Sequence, residues 1–203
     1  MTSLRSLFGP SKDEAWKQLS DRIHATFVEG GPLLGSKVVA KVDEWTITLD
    51  THQLPATYDH IPYTRMRAPY INKDGFRFKI YREGLFSELE KVFGLQDIKV
   101  GYPEFDDNYI IQGNDEKKVK SLFSNPKIRE LIQAQPPVYF EIKDDDGWFH
   151  EDFPESDDEL YFLIDEEIKD IERLKSLYDL FAATLHHLCH IGSAYENDPQ
   201  IEL

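Results

Sequence analysis

The chain has 203 residues, of which 40% are hydrophobic and 13% aromatic, so it can bury a full core and is unlike a disordered chain. Its net charge of −15 argues against general nucleic-acid binding, because a polyphosphate would be repelled. No apolar run approaches the roughly 18–20 residues of a membrane span, and residues 1–10 lack a signal-peptide pattern. The one cysteine, Cys189, cannot form an internal disulfide. We therefore expect a cytoplasmic protein that needs no cofactor and binds neither nucleic acid nor membrane.

The first predicted element is an amphipathic helix. Ser11 and Glu14 have the spacing of a capping box, and Gly30, Gly31 and Pro32 are expected to end the helix. Its apolar stripe consists of Trp16, Leu19, Ile23 and Phe27.

Two hairpins follow in the prediction. Apolar residues alternate over 38–42 and 45–49, with Asp43-Glu44 as the connection. After a loop at 51–62, a second strand pair is predicted around the turn at 72–75. In its second strand Phe76, Phe78 and Ile80 point inward, which places Arg77 and Lys79 on the opposite face, exposed to solvent or to a partner.

The later elements are shorter until the last one. They are a helix at 85–93, a strand at 108–112, helices at about 115–123 and 126–134, a strand at 138–142, a turn at 144–147, a returning strand at 148–153 and a central strand at 160–164. A long helix over about 166–191 is capped by Asp165 and closed by Gly192. Together these elements predict an α+β fold, in which an antiparallel sheet built from hairpins has helices packed on one side. One domain spans 1–203, with a core at about 11–191 and a tail at 192–203.

Three stretches resemble a family of uncharacterised bacterial cytosolic proteins. They are Tyr63-Thr64-Arg65-Met66-Arg67-Ala68-Pro69, Gly75-Phe76-Arg77-Phe78-Lys79-Ile80 and Pro103-Glu104-Phe105-Asp106. The likeness covers about residues 12–190. It implies a bacterial source and, because the family has no assigned activity, no catalytic residue.

The charge is divided along the chain. Residues 64–82 contain six basic residues and one acid, whereas residues 144–172 contain fourteen acids and one base. A basic surface of arginines and lysines, interleaved with tyrosines, suits a phosphate, a carboxylate or an acidic partner. Its members are Tyr63, Arg65, Arg67, Arg77, Lys79 and Arg82. The alternative is that these cations pair with the chain's own acids.

The acidic run is the second candidate surface. Asp144, Asp145, Asp146, Glu151 and Asp152 could dock a basic protein or bind a metal ion weakly, or they could form a solvated turn and loop. The spacing does not match an EF-hand.

Histidines near the end of the last helix form the third candidate. Asp179, His186 and His190 share a helical face and could bind one metal ion. Alternatively, the histidines face water and interact with the helix dipole. Cys189 is expected to pack as a small apolar side chain.

No enzyme signature is present. Glu104, Asp106 and Asp107 would be catalytic candidates only with a histidine nearby, and no Gly-x-Ser-x-Gly frames a serine. The leading hypothesis is a non-catalytic interaction protein, of an adaptor or immunity-like kind, that docks through charged faces. The alternative is an enzyme or sensor that binds a small anion on the basic surface.

Overall fold

The structure is a computed structural model and describes residues 10–31, 35–52, 63–82, 96–135, 139–143, 157–201 and 203. Its helices are α1 (Lys12–Ile23), α2 (Pro103–Asn108), α3 (Glu116–Ser124), α4 (Pro126–Gln133) and α5 (Ile171–His190). Its strands are β1 (Thr26–Val28), β2 (Lys37–Val42), β3 (Trp45–His52), β4 (Tyr63–Ile71), β5 (Phe78–Tyr81), β6 (Gln96–Asp97), β7 (Ile110–Gly113), β8 (Tyr139–Lys143) and β9 (Asp157–Ile164). None of the helices in these ranges is long and apolar enough to cross a bilayer.

The strands form one antiparallel sheet in the order β1-β2-β3-β4-β9-β8-β5-β7-β6. Its inner face and the helices bury a common core. The largest side chains in this core include Trp16, Trp45, Phe78, Phe123, Phe140 and Phe181. The predicted α+β class, with an antiparallel sheet, helices on one side and a long last helix, is confirmed.

The first helix is shorter than predicted. Its capping box forms as expected, with Ser11 and Glu14 exchanging hydrogen bonds. The helix ends at His24, which adopts a left-handed conformation with φ 54°. Phe27 therefore lies in β1, where its backbone pairs with β2. Strand pairing replaced the helical continuation that its spacing predicted.

The β2–β3 hairpin is confirmed, and Asp43 takes φ 47° in its turn. The second predicted hairpin is wrong. The side chain of Asn72 accepts hydrogen bonds from the backbone at Asp74 and Gly75, so the chain does turn there. However, β9 and β8 lie between β4 and β5 in the sheet. Pairing with strands from the distant second half of the chain overrides the local turn.

The α3–α4 boundary is confirmed, since Asn125 caps α4 and Pro126 opens it. The central strand is also confirmed as β9, which is buried along its whole length. The last helix, in contrast, begins later than predicted, because Asp170 rather than Asp165 accepts the capping hydrogen bond from Arg173. The predicted helix at 85–93, turn at 144–147 and strand at 148–153 lie outside the described residues.

The segment after α5 contributes more than a loose tail would. Gly192 has φ 78°, and hydrogen bonds from Gly192 to Cys189 and from Ser193 to Leu188 close the helix in a Schellman motif. Ser193 is fully buried and accepts a hydrogen bond from the Lys73 amide. Tyr195 donates its amide to Ile71 at the end of β4. These bonds anchor the following residues beside the sheet.

Candidate functional site

The outer face of the sheet, opposite the helices, carries a charged layer. One row of it runs across six strands as Thr48, Arg67, Tyr161, Glu141, Lys79 and Gln112. In the neighbouring rows Asp50 faces Arg65, and Glu159 faces Lys143. Acids therefore stand opposite bases on adjacent strands, an arrangement that stabilises a sheet.

Asp50 holds the two arginines of β4. Its carboxylate accepts two hydrogen bonds from Arg65, at 2.8 and 2.7 Å, and one from Arg67 at 2.9 Å. The side chains of Asp50, Arg65 and Arg67 are 15%, 18% and 11% exposed. A carboxylate this enclosed makes strong, charge-assisted hydrogen bonds. For these two arginines the structure shows the alternative considered above, in which they pair with an acid of the chain.

Lys79 is also part of this layer and is only 1% exposed. The prediction that it would be exposed is wrong. Its ammonium lies 3.8 Å from Glu141, which is 3.6 Å from Lys143. Tyr81, Tyr139, Tyr161 and Leu163 form a second apolar cluster on this face, so alternation places Lys79 in another buried layer instead of in water.

Burial perturbs the acids and bases of this layer. It raises the pKa of Glu159 to about 7, although Arg67 and Lys143 oppose the change. Burial likewise raises the pKa of Glu141 and lowers that of Lys143, and in each case the opposite charge nearby limits the effect. At the edge of the layer, burial and then the charge of Arg65 lower the pKa of His52 to about 4.

The other members of the predicted basic surface lie apart from the arginines of β4. Arg77 is 3.8 Å from Asp158, and the guanidinium of Arg82 is 5.6 Å from the centre of the Tyr109 ring. Tyr63 packs beside the tyrosine cluster. The structure therefore brings Arg65, Arg67 and Lys79 into one layer but does not gather all six residues into one surface.

The predicted acidic docking face is not covered by the structure. Asp144, Asp145, Asp146, Glu151 and Asp152 lie outside the described residues, and docking of a basic protein there stays a prediction.

The three candidate metal ligands contact different groups. His186 lies 3.2 Å from Asp43 and packs edge-on against Trp45. Asp179 pairs with Lys175 at 2.7 Å, and His190 stacks near His187. Within the described ranges, no three His, Cys, Asp or Glu side chains come close enough to hold a metal ion.

The carboxylate of Asp106 binds the backbone of a neighbouring loop. Its carboxylate accepts hydrogen bonds from the backbone N–H groups of Val100, Gly101 and Tyr102, at 2.8, 2.8 and 3.1 Å. The side chain that was considered for catalysis thus closes the loop before α2.

A groove lies at the β1–β3 end of the outer face. It encloses a cavity of about 560 Å³ between these strands and residues that follow α5. The strands contribute Thr26, Val28, Lys37, Val39, Lys41, Thr46 and Thr48, and the later residues are Asp198, Gln200, Ile201 and Leu203. We call this cavity and its walls the β1–β3 groove, and the residues Asp198–Ile201 and Leu203 the docked segment.

Two lysines of β2 hold the docked segment. Lys41 binds the carboxylate of Asp198 at 2.8 Å, and Lys37 donates to the main-chain oxygen of Leu203. The other oxygen of Asp198 accepts the amide of Gln200 at 2.8 Å, and Gln200 takes φ 60°. The hydrogen bond from Lys41, followed by that from Gln200, lowers the pKa of Asp198.

The spacing of these lysines suits an extended ligand. Residues four apart on a strand are about 13 Å apart and point to the same face, so Lys37 and Lys41 can hold two separated points of one segment. Val39 lies between them and forms an apolar wall. The sequence analysis did not single out these lysines, although their alternation with Val39 on a predicted strand was a usable signal.

No protein-family model and no curated protein matches the chain. Among solved structures, the crystal structure of the mycobacterial trehalose monomycolate transport factor A, TtfA, is similar with a TM-score of 0.47 and 5% identity. That similarity covers 85% of this chain and 95% of the other. A likeness at this level supports no inference about function.

Proposed function

We propose that this chain is a non-catalytic interaction module that binds an extended segment of a partner protein in the β1–β3 groove. One observation carries the proposal: the groove already holds a piece of polypeptide through Lys37 and Lys41. The same contacts are available to a segment of another protein.

The walls of the groove fit a peptide better than the charged layer fits a free anion. Threonine hydroxyls from β1 and β3 and the apolar side chains of Val28 and Val39 line the cavity, so both backbone and apolar side chains of a ligand find partners. Arg65 and Arg67, the residues expected to bind a small anion, are already hydrogen-bonded to Asp50. The small-anion alternative therefore has less support.

The test is selection of randomised, displayed peptides on the full chain, followed by affinity measurements on two variants. Val39→Arg places a long side chain in the cavity and is expected to weaken selected peptides by at least about tenfold. Glu130→Arg is the matched control, because Glu130 lies on α4 with its side chain 73% exposed. Failure to select any peptide, or equal binding to both variants, would refute the proposal.

A further inference from the structure

We infer that the docked segment is an intramolecular competitor for the β1–β3 groove, and that the partner segment has the same chemistry. That chemistry is a carboxylate for Lys41 together with a branched apolar side chain for the wall formed by Val39. The inference rests on the proposed function and specifies the partner and regulation of that site.

The carboxylate requirement follows from how Asp198 is bound. Asp198 uses one oxygen for Lys41 and the other to organise the turn at Gln200. A segment with an aspartate can therefore form a local turn and an ion pair at once. The net charge of −15 repels acidic segments at long range, so Lys41 provides selectivity at contact rather than faster association.

The apolar requirement follows from the second half of the docked segment. Ile201 and Leu203 both line the cavity, whose opposite wall includes Val28 and Val39. Ile201 is half-buried and Val28 is 39% exposed. Burying these side chains further would remove apolar surface from water and strengthen binding.

The docked segment is an incomplete ligand, which makes its displacement feasible. A cavity of about 560 Å³ remains between it and the sheet, a volume within the usual range of binding pockets. The side chains of Lys41 and Asp198 are 63% and 32% exposed to solvent, and exposed ion pairs are weak. A partner with a larger apolar side chain would fill space that Ile201 and Leu203 leave open.

Tethering compensates for these weak contacts. The amide of Tyr195 is bonded to Ile71, so two residues separate this anchor from Asp198. A short tether gives an effective concentration on the order of millimolar. A free peptide must compete with the docked segment at that effective concentration. Because the peptide binds only molecules whose groove is open, its apparent Kd is the intrinsic Kd divided by the fraction of such molecules.

The test uses a fluorescent peptide of residues 195–203 as the probe and the full chain as the receptor. The variant with Asp198→Ala and Ile201→Ala weakens the docked segment, and it is expected to bind the probe at least about tenfold more tightly than wild type. The matched control carries Glu196→Ala and Asn197→Ala, two exposed positions that immediately precede the docked segment and do not line the groove. It should bind the probe as wild type does.

A charge exchange tests the recognition of the carboxylate. Adding Lys41→Glu to the weakened variant should weaken binding of the probe several-fold, and a probe with Asp198→Lys should restore it. Folding of each variant is checked by its unfolding transition, so that a loss of binding is not confused with a loss of structure.

The possible failures are distinguishable. Equal affinity of wild type and the weakened variant would refute competition, and indifference to Lys41→Glu would refute recognition of the carboxylate. If displayed peptides bind in a manner that depends on Val39 while the probe never binds, this inference fails and the proposed function stands. If wild type is a dimer in sedimentation and the weakened variant a monomer, the docked segment occupies a second copy, and intramolecular competition is refuted.

Discussion

Replacing Asp50 with asparagine should strongly destabilise the fold, because Arg65 and Arg67 are largely buried and would lose the carboxylate that they share, which leaves only Glu159, 3.8 Å from Arg67, beside them. Asp50 accepts three hydrogen bonds from Arg65 and Arg67, and all three side chains are less than one-fifth exposed. Breaking a buried pair from one side costs about 3–5 kcal/mol. Because an asparagine oxygen keeps one of these hydrogen bonds, we expect the free energy of unfolding to fall by about 2–4 kcal/mol.

Urea unfolding and thermal unfolding measure this loss. For a chain of this length, 1 kcal/mol corresponds to about 2–4 °C, so the midpoint should fall by about 4–16 °C. The matched control is Asp198→Asn, which removes the same charge from the exposed pair with Lys41 and should cost less than about 1 kcal/mol. Equal losses for the two substitutions would refute the argument that burial sets the cost.

Three further changes test other parts of the structure. Asp106→Asn should cost about 2–4 kcal/mol in urea unfolding, since the carboxylate binds three backbone amides of residues 100–102. Gly192→Ala should cost about 1 kcal/mol in the same assay, because φ is 78° there. Glu159→Gln should become progressively more stable relative to wild type as pH rises from about 4.5 to about 7. The folded wild type holds its proton to higher pH than the unfolded chain, so its stability falls over that interval. A difference in unfolding free energy between variant and wild type that does not change with pH would contradict this.

Local features of the fold were predictable from the sequence. The capping box at Ser11, the β2–β3 hairpin and the α3–α4 boundary at Asn125 all depend on residues close together in the chain. The inward positions of Phe76, Phe78 and Ile80 were also predicted correctly, since alternation alone determines them.

The features that failed depend on distant residues. The turn after Asn72 predicted a hairpin, but β4 and β5 pair with β9 and β8 instead, and no local signal reports such pairing. For the same reason Lys79 was expected in water, whereas Glu141 on β8 and the tyrosine cluster enclose it. Alternation distinguishes two faces of a strand but does not tell whether both are buried.

The candidate site was predictable only in part. The basic residues of β4 were identified, but their partner Asp50 lies in the second half of β3 and carried no motif. The β1–β3 groove was not predicted, because it requires Asp198 to meet Lys41 from the opposite end of the chain. Charge complementarity between two separate short segments becomes visible only once the fold brings them together.

The most direct test of the central claim is to locate a bound peptide by amide chemical shifts. The probe of residues 195–203 would be titrated into the isotope-labelled variant with Asp198→Ala and Ile201→Ala. Binding in the β1–β3 groove predicts saturable changes at residues 26–28, 37–41 and 46–48, with α4 and α5 unaffected. Changes confined to the helices, or no saturable change at any residue, would contradict the claim that this groove binds an extended segment.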